Sequence, residues 1–596
     1  MFLVTVPIEE FIKDDEKLVL LGEWCNVYKK FSFPDYQVMP FFWNDAQKII
    51  DAYNYCNTIY YKFIPILREI LNDVHSISKE ERYYKILLGP WLFNFVQQLY
   101  DKYIHVKEAC KKYRFKEFWT LSEEQYYIPE NFQDYIEKIV GDRYSLQLYS
   151  QLLVNLEKNV KCRFLNNPLK NKEKIAMHTK RRLKKRAYGI VRNCFYSLLD
   201  RYYGAQTVTL VNPSLYHNRS LKLFFLMVKS RFKIIADDMA LPVTIDCKPN
   251  IFLRKELSQR VNNKNEFEHL LWTLLCENIP YMYLEGFADF REAIHKASMK
   301  ISRYFYTTDA LYVNPVFQFY FAENYKKYAM KLIFHQHGGC YGMNFIHSHE
   351  EYEKDISDIF CNWGVNSGWN EKYKVLEKPL PHSKLELKDI RNKKKSHTKK
   401  YTVLGLTDTS RYLQRFDLYP LSSNFLYSLR NTMKFLQCVE VRDDFIIRLK
   451  PGKEMGWKIE ERIKDTFGDS FRMSTRRQEK FDTLLKKTEI FISNNLNTTY
   501  LETLVRNIPT IIFIEPEFYC FRKEAEVYFD RLRETGILHF SPESAYEHFR
   551  CIKDAVEQWW DSKETKAARG DFVDKFAFHD KKWANVWQKE FLSLLQ

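Results

Sequence analysis

Three groups of residues in this chain have types and spacings that can do chemistry. His337 follows an apolar run, Lys331-Leu332-Ile333-Phe334-His335, and is itself followed by Gly338-Gly339. An imidazole titrates near neutral pH, and paired glycines let a backbone approach a ligand closely. Thr498-Thr499 open a helical pattern over residues 500–506, with Glu502 about one turn in. Hydroxyls capping a helix start can meet a phosphate where free N–H groups point outward, and a carboxylate one turn further can accept from ribose hydroxyls. An ordinary capped helix carries the same residues. Arg448 and Lys450 end a third apolar run, residues 445–451, and place two cations where phosphate can lie. A solvated strand end looks the same.

The elements around these residues are those of open parallel sheets. Residues 491–516 read as strand, polar turn, helix, stop at Asn507-Ile508-Pro509, and second buried strand. In such βαβ units ligands sit beyond the carboxyl ends of the strands. Residues 15–25 predict a strand ending in a Gly turn. Residues 43–200 change to long helical runs, with a kink expected at Pro65 and a break at Gly89-Pro90. Arg82 lies in a mixed aromatic and basic run there, a pattern usual for core helices with snorkelling ends. Strands are expected again at 207–211, 310–313, 331–335 and 358–364, with a helix over 318–330. Residues 384–400 are polar and basic and read as a linker, beyond which strands at 401–408 and 445–451 begin a second α/β series. A helix over 529–536 and a helical tail from Pro542 follow.

With 596 residues, 45% hydrophobic and 28% charged, the chain is globular and large enough for more than one core. The net charge of +16 points to anionic partners, but no nucleic-acid-reading motif accompanies it. The basic cluster Lys180, Arg181, Arg182, Lys184, Lys185 and Arg186 is read as a solvated helix face or linker, or as a patch for an anionic membrane surface or a phosphate-bearing acceptor. Twelve cysteines without CxxC or His–Cys spacing predict reduced core residues, not a disulfide framework. No signal-peptide pattern opens the chain and no apolar run reaches about 18 residues, so a soluble protein of the cytoplasm is expected.

Several motifs fall in an order shared with a known family. These are the Trp24-Cys25 turn, Arg82-Tyr83 to Gly89-Pro90-Trp91, Gln336-His337-Gly338-Gly339, Thr498-Thr499-Tyr500-Leu501-Glu502, Ile508-Pro509-Thr510, and the segments 528–537 and 541–545. The chain resembles the transferases of bacterial surface-carbohydrate gene clusters first defined in a spirochaete. The family's loop has Gly where Cys340 stands here. Two α/β halves with a C-terminal Thr-Thr-x-x-Glu helix also resemble GT-B glycosyltransferases, and the His-Gly loop is similar to that of polyol-phosphate transferases.

The resemblance implies an α/β fold of two Rossmann-like lobes with a large helical insertion in the N-terminal half. An acceptor-side lobe is expected over 1–383, a basic linker over 384–400, and a nucleotide-donor lobe over 401–596. It implies Thr498 and Thr499 for phosphate, Glu502 for ribose and His337 as general base; on charge alone, the helix N-terminus with Arg448 and Lys450 can stabilise the leaving diphosphate. Gln336, Gly338, Gly339, Glu23 and Arg82 fall on the acceptor side. No Asp-x-Asp at a strand end is evident, and Asp237-Asp238 and Asp443-Asp444 read as turns or helix starts, so no required metal or cofactor is expected. The expected activity is transfer of a sugar or related polyol phosphate from a nucleotide-activated donor to a surface glycan or its lipid-linked precursor. A nucleotide-sugar epimerase and a non-catalytic glycan-binding scaffold are the alternatives.

Overall fold

The computed structural model describes residues 1–596 except 13–15, 34, 158, 166–197, 199–200, 213–230, 236–246, 262–264, 297–301, 366–367, 383–384, 386–399, 441–443, 451–454 and 476–477. The basic cluster at 180–186, the pair at 237–238, Asp443 and all of 384–400 but Leu385 and Lys400 lie outside the described residues.

Parallel sheets organise the chain. β1 (Phe2–Val4), β2 (Leu18–Leu20) and β3 (Tyr36–Val38) form a small sheet of their own. Two long helices follow, Ala46–Val74 and Glu81–Lys112. The second does not break at Gly89-Pro90 as expected, and the reason lies far away in the sequence. Proline leaves the carbonyl four residues earlier without an N–H. Here that carbonyl, on Ile86, accepts from Gln318 Nε2 at 2.9 Å. The missing Cβ of Gly89 makes room for the Tyr352 ring, which would lie 2.5 Å from one. The first helix likewise continues through Pro65. Residues 43–200 are not wholly helical, because β4 (Glu117–Thr120) and β5 (Lys161–Phe164) pair in parallel within them.

The larger N-terminal sheet contains β6 (Val208–Val211), β7 (Phe232–Ile235), β8 (Tyr304–Thr307), β9 (Lys331–His335), β10 (Ile359–Asn362), β11 (Gly368–Asn370) and β12 (Val375–Pro379). Its order is β11-β12-β10-β9-β8-β6-β7, and only β11 runs antiparallel to its neighbour. Residues 310–313, expected as a strand, form a helical turn instead. Thr307 Oγ1 accepts from the N–H groups of Asp309 (3.3 Å) and Ala310 (2.8 Å) and so turns the chain as it leaves β8.

β13 (Tyr401–Gly405), β14 (Phe445–Arg448), β15 (Arg472–Ser474), β16 (Thr488–Ser493), β17 (Thr510–Phe513) and β18 (Leu538–His539) form the C-terminal sheet. All of its pairs are parallel and the order is β15-β14-β13-β16-β17-β18. This doubly wound order reverses direction between β13 and β16, and a crevice opens at such a reversal beyond the carboxyl ends of the strands.

The helical tail returns to the N-terminal sheet. Trp587 and Phe591 of the helix Trp583–Leu594 are buried against Val208, Tyr306 and Ile333, and Trp587 Nε1 donates to the Pro381 carbonyl at 2.7 Å. Among the described residues, no helix is long and apolar enough to cross a membrane.

Candidate functional site

The loops after β13 and β16 meet at the reversal point. Asn494 Oδ1 accepts from Thr407 N at 3.1 Å, and Asn497 Nδ2 donates to Thr407 Oγ1 at 3.3 Å. The helix Thr498–Val505 begins here with Asn497 at its N-cap position, and no side chain caps it. Thr498 and Thr499 are therefore its first residues and not its caps. Freed from capping, Thr498 Oγ1 accepts from the backbone N–H of Gly339, 2.9 Å away in the loop after β9. One hydrogen bond thus joins the two motifs singled out in the sequence.

Gly339 is packed for that approach. A Cβ on it would lie 3.2 Å from both Asn497 C and Thr498 N. Cys340 follows with φ +72°, in the left-handed region that favours glycine, the residue the resembled family has there. Its thiol donates to the Leu496 carbonyl at 3.2 Å and its own carbonyl accepts from Met343 N and Asn344 N, each at 3.1 Å. These bonds hold the strained residue in place. Burial pushes the Cys340 thiol up to about 12, so it is no nucleophile at neutral pH.

Gln336 fixes the other end of the turn, its Nε2 donating to Gly338 O (2.8 Å) and its Oε1 accepting from Trp363 N (2.9 Å). His337 Nδ1 is 3.1 Å from the Tyr341 hydroxyl and 3.4 Å from Glu353 Oε1. Tyr341 donates its own proton to that Glu353 oxygen at 2.9 Å. With its proton given to Glu353, the Tyr341 oxygen is open to accept from His337 Nδ1–H. Tyr312 also donates to Glu353 Oε1, at 3.0 Å. Burial raises the fully covered Glu353 carboxyl well above the usual range, against the pull of the two tyrosine donors. That shift favours the neutral acid, so Glu353 serves to anchor the two tyrosine hydroxyls beside His337.

Ligand atoms of His337, His349 and Glu353 lie within 4.8 Å of one another, a spacing that suits a metal ion. The surrounding contacts fit one poorly. Arg415 Nη1 donates to His349 Nε2 at 2.8 Å, which takes up that nitrogen's lone pair and sets a cation beside the group. Burial and then Arg415 hold His349 well below its ordinary value. Arg415 also pairs with Asp417 at 2.9 Å, and Asp417 accepts from Ser348 N at 2.9 Å. The loop after β13 is fastened by these bonds onto the helix Ser348–Ile356 that carries His349 and Glu353.

Other expected site residues are placed elsewhere. Arg448 is buried and donates to Ser474 Oγ at 2.9 Å, and Lys450 donates to the Asp408 carbonyl at 2.5 Å. Both stay at the carboxyl ends of the C-terminal sheet. Glu502 lies 3.6 Å from Arg506, which binds Asp482 at 2.7 Å. Arg82 bonds Asp358 and the Ile356 carbonyl, each at 2.8 Å, at the amino end of β10 and away from His337. Glu23 sits in a short 3-10 turn and acts electrostatically on Arg462. Tyr341, Glu353, His349 and Arg415 were missed in the sequence. The signal was His347-Ser348-His349-Glu350-Glu351-Tyr352-Glu353, which puts His349 and Glu353 four apart on one helix face.

The geometry is that of a parallel α/β protein whose candidate site lies between loops of its two large sheets. The chain belongs to the LIC12162 family of transferases, which it matches over residues 1–591. No curated protein matches it. Solved structures similar to it include the S. aureus MnaA–UDP co-structure (11% identity, TM-score 0.37, 65% of this chain and 98% of that one). The Acinetobacter baumannii MurG structure is another (9%, 0.33, 65% and 99%). A third is the spinosyn rhamnosyltransferase SpnG with spinosyn aglycone (10%, 0.32, 64% and 99%).

Proposed function

We propose that the protein transfers a sugar, or a related polyol phosphate, from a nucleotide-activated donor to a hydroxyl of a surface glycan or its lipid-linked precursor. The observation that carries this reading is the bond between Gly339 N and Thr498 Oγ1 at 2.9 Å, beside the His337–Tyr341–Glu353 relay. It sets a candidate base next to a helix N-terminus suited to a diphosphate. The acceptor oxygen bonds the transferred centre and gives its proton to the His337 imidazole, while the bond to the leaving phosphate breaks and its electron pair departs on that phosphate. Tyr341 and Glu353 hold the imidazole from its Nδ1 side. General base help of this kind is worth roughly 10²–10⁴-fold. The helix N-terminus meets the developing negative charge, while Arg448 and Lys450 stay bonded to Ser474 and to the Asp408 carbonyl, and no step draws on a metal.

A panel of nucleotides tested by thermal shift is the first experiment. A ligand at about 100 times its dissociation constant adds about 2.7 kcal/mol of stability, so one nucleoside diphosphate should raise the melting temperature clearly. If none does, the donor reading is wrong. The concentration of His337, His349 and Glu353 in one place favours a second reading, a nucleotide-sugar epimerase. Incubation with free nucleotide sugars separates the two, since only an epimerase interconverts them without an acceptor.

A further inference from the structure

Beside the His337 relay lies a cavity of about 460 Å³, within the range of small-molecule sites. It is walled by β10, β11 and β12, by the helix Ser348–Ile356, by Arg522 of the C-terminal half and by the end of the helix Lys563–Phe576. The Tyr341 ring forms part of its lining, while the Tyr341 hydroxyl touches His337 and Glu353.

The polar wall is a ladder of alternating charge. Arg522 binds Glu350 through both terminal nitrogens, at 3.0 and 2.9 Å. Lys354 bridges Glu350 at 2.9 Å and Glu377 at 3.0 Å. Asn370 donates to Glu377 at 2.6 Å. Glu350 and Glu377 are 3% and 2% exposed, so the ladder is part of the folded interior and not a solvated face. Two cations face two carboxylates, and the rim adds one of each in Lys575 and Glu524. A carboxylate ligand would meet Glu350 and Glu377 without a free cation, and an ammonium ligand would meet Lys354 and Arg522. A neutral ligand with many hydroxyls meets neither penalty, because each hydroxyl both donates and accepts. Phe360 and Phe576, also in the lining, are buried side chains that add apolar surface at its edge.

We infer that this cavity holds the neutral glycosyl residue of the acceptor. The inference rests on the transferase reading and adds the class of group the acceptor presents, an uncharged sugar. The ladder draws on both halves of the chain through the Arg522–Glu350 pair.

The test uses the full chain and saturation-transfer NMR with neutral methyl glycosides of glucose, galactose, mannose and N-acetylglucosamine. Glucuronate and glucosamine are the charged counterparts, and nucleoside diphosphate binding is followed by calorimetry. At least one neutral glycoside should bind in the millimolar range and bind at least tenfold better than either charged sugar. Val365→Phe, at the cavity wall, and Asn370→Leu, on the edge strand, should each weaken that binding at least tenfold and leave nucleotide affinity unchanged. Two variants at separate positions keep the test decisive if one fails to fold. The inference is overturned if no neutral glycoside binds, if a charged sugar binds as well, or if both folded variants bind as the parent does. Glycoside binding without any nucleotide binding would leave the cavity assignment standing and remove the transferase reading, so the two fail separately.

Discussion

Gly338 and Gly339 are adjacent, neither has a left-handed φ, and yet alanine should act oppositely at the two. A Cβ on Gly338 would meet only Thr498 Oγ1, at 3.6 Å, an ordinary contact. A Cβ on Gly339 would meet Asn497 C at 3.2 Å, Thr498 N at 3.2 Å and Asn497 O at 3.3 Å, all of them backbone. Backbone at a helix start cannot rotate aside as a side chain can, so the loop must retreat by a few tenths of an ångström. Overpacking of this kind costs about 1–3 kcal/mol. Replacing Gly338 instead removes unfolded-state freedom and should stabilise by about 0.4–1 kcal/mol. The retreat also lengthens the Gly339–Thr498 hydrogen bond, so Gly339→Ala should lower turnover more than tenfold while Gly338→Ala stays within threefold. Urea titration of both variants beside the parent reads the stability difference, and transfer kinetics read the other. Equal midpoints for the two variants, or a Gly339→Ala protein as active as its neighbour, would refute the close approach.

His337→Ala should reduce turnover by at least about a hundredfold with nucleotide affinity retained. A loss no greater than the loss of folded protein would make the residue structural. Glu502→Gln should weaken nucleotide binding more than it changes the urea midpoint, and unchanged affinity by calorimetry would reduce Glu502 to a partner of Arg506. Acidification gives a third prediction. Burial would raise the Glu350 carboxyl, but Arg522, Lys354 and His347 hold it well below its ordinary value of 4.5. A carboxylate depressed in the folded state stabilises fully above its unfolded pKa, and that stabilisation is lost as pH falls through the folded one. Stability should therefore fall as pH drops below about 4.5, and Glu350→Gln should flatten this part of the profile. Matching acid limbs for the two proteins would count against the bridge.

The buried parallel strands were legible because their apolar runs are short, continuous and bounded by turn residues. Residues 331–335 form β9 as read, and 401–408 contains β13. The sequence was misleading where a distant partner decides the local structure. Gly89-Pro90 looks like a helix end until Gln318 supplies the donor that Pro90 lacks. Residues 310–313 look like a strand until Thr307 turns the chain beneath them. At the site, His337 and Thr498 stood out by their neighbours, but the relay partners did not. Tyr341 and Glu353 matter because the loop folds back on the helix Ser348–Ile356, which no local pattern reports. Cys340 was visible as a departure from the resembled family, and only its φ of +72° shows why glycine suits that position.

Thr498 ties these observations together and carries the last prediction. Its oxygen accepts from Gly339 N at 2.9 Å, so its own hydroxyl proton points to another acceptor. Under the proposed function that acceptor is a donor phosphate, and a single side chain then answers to the loop on one side and to the nucleotide on the other. Thr498→Ser keeps both bonds and should behave as the parent. Thr498→Val keeps the shape but removes both. A lost hydrogen bond to a charged group is worth about 1.5–3 kcal/mol, and every 1.4 kcal/mol is tenfold in affinity, so nucleotide binding should weaken by roughly ten- to a hundredfold. Turnover should fall further than affinity, because Gly339 and the adjoining His337 lose their anchor as well. If Thr498→Val binds nucleotide as Thr498→Ser does, the helix start is not the phosphate site, and the hydroxyl serves only to hold the loop.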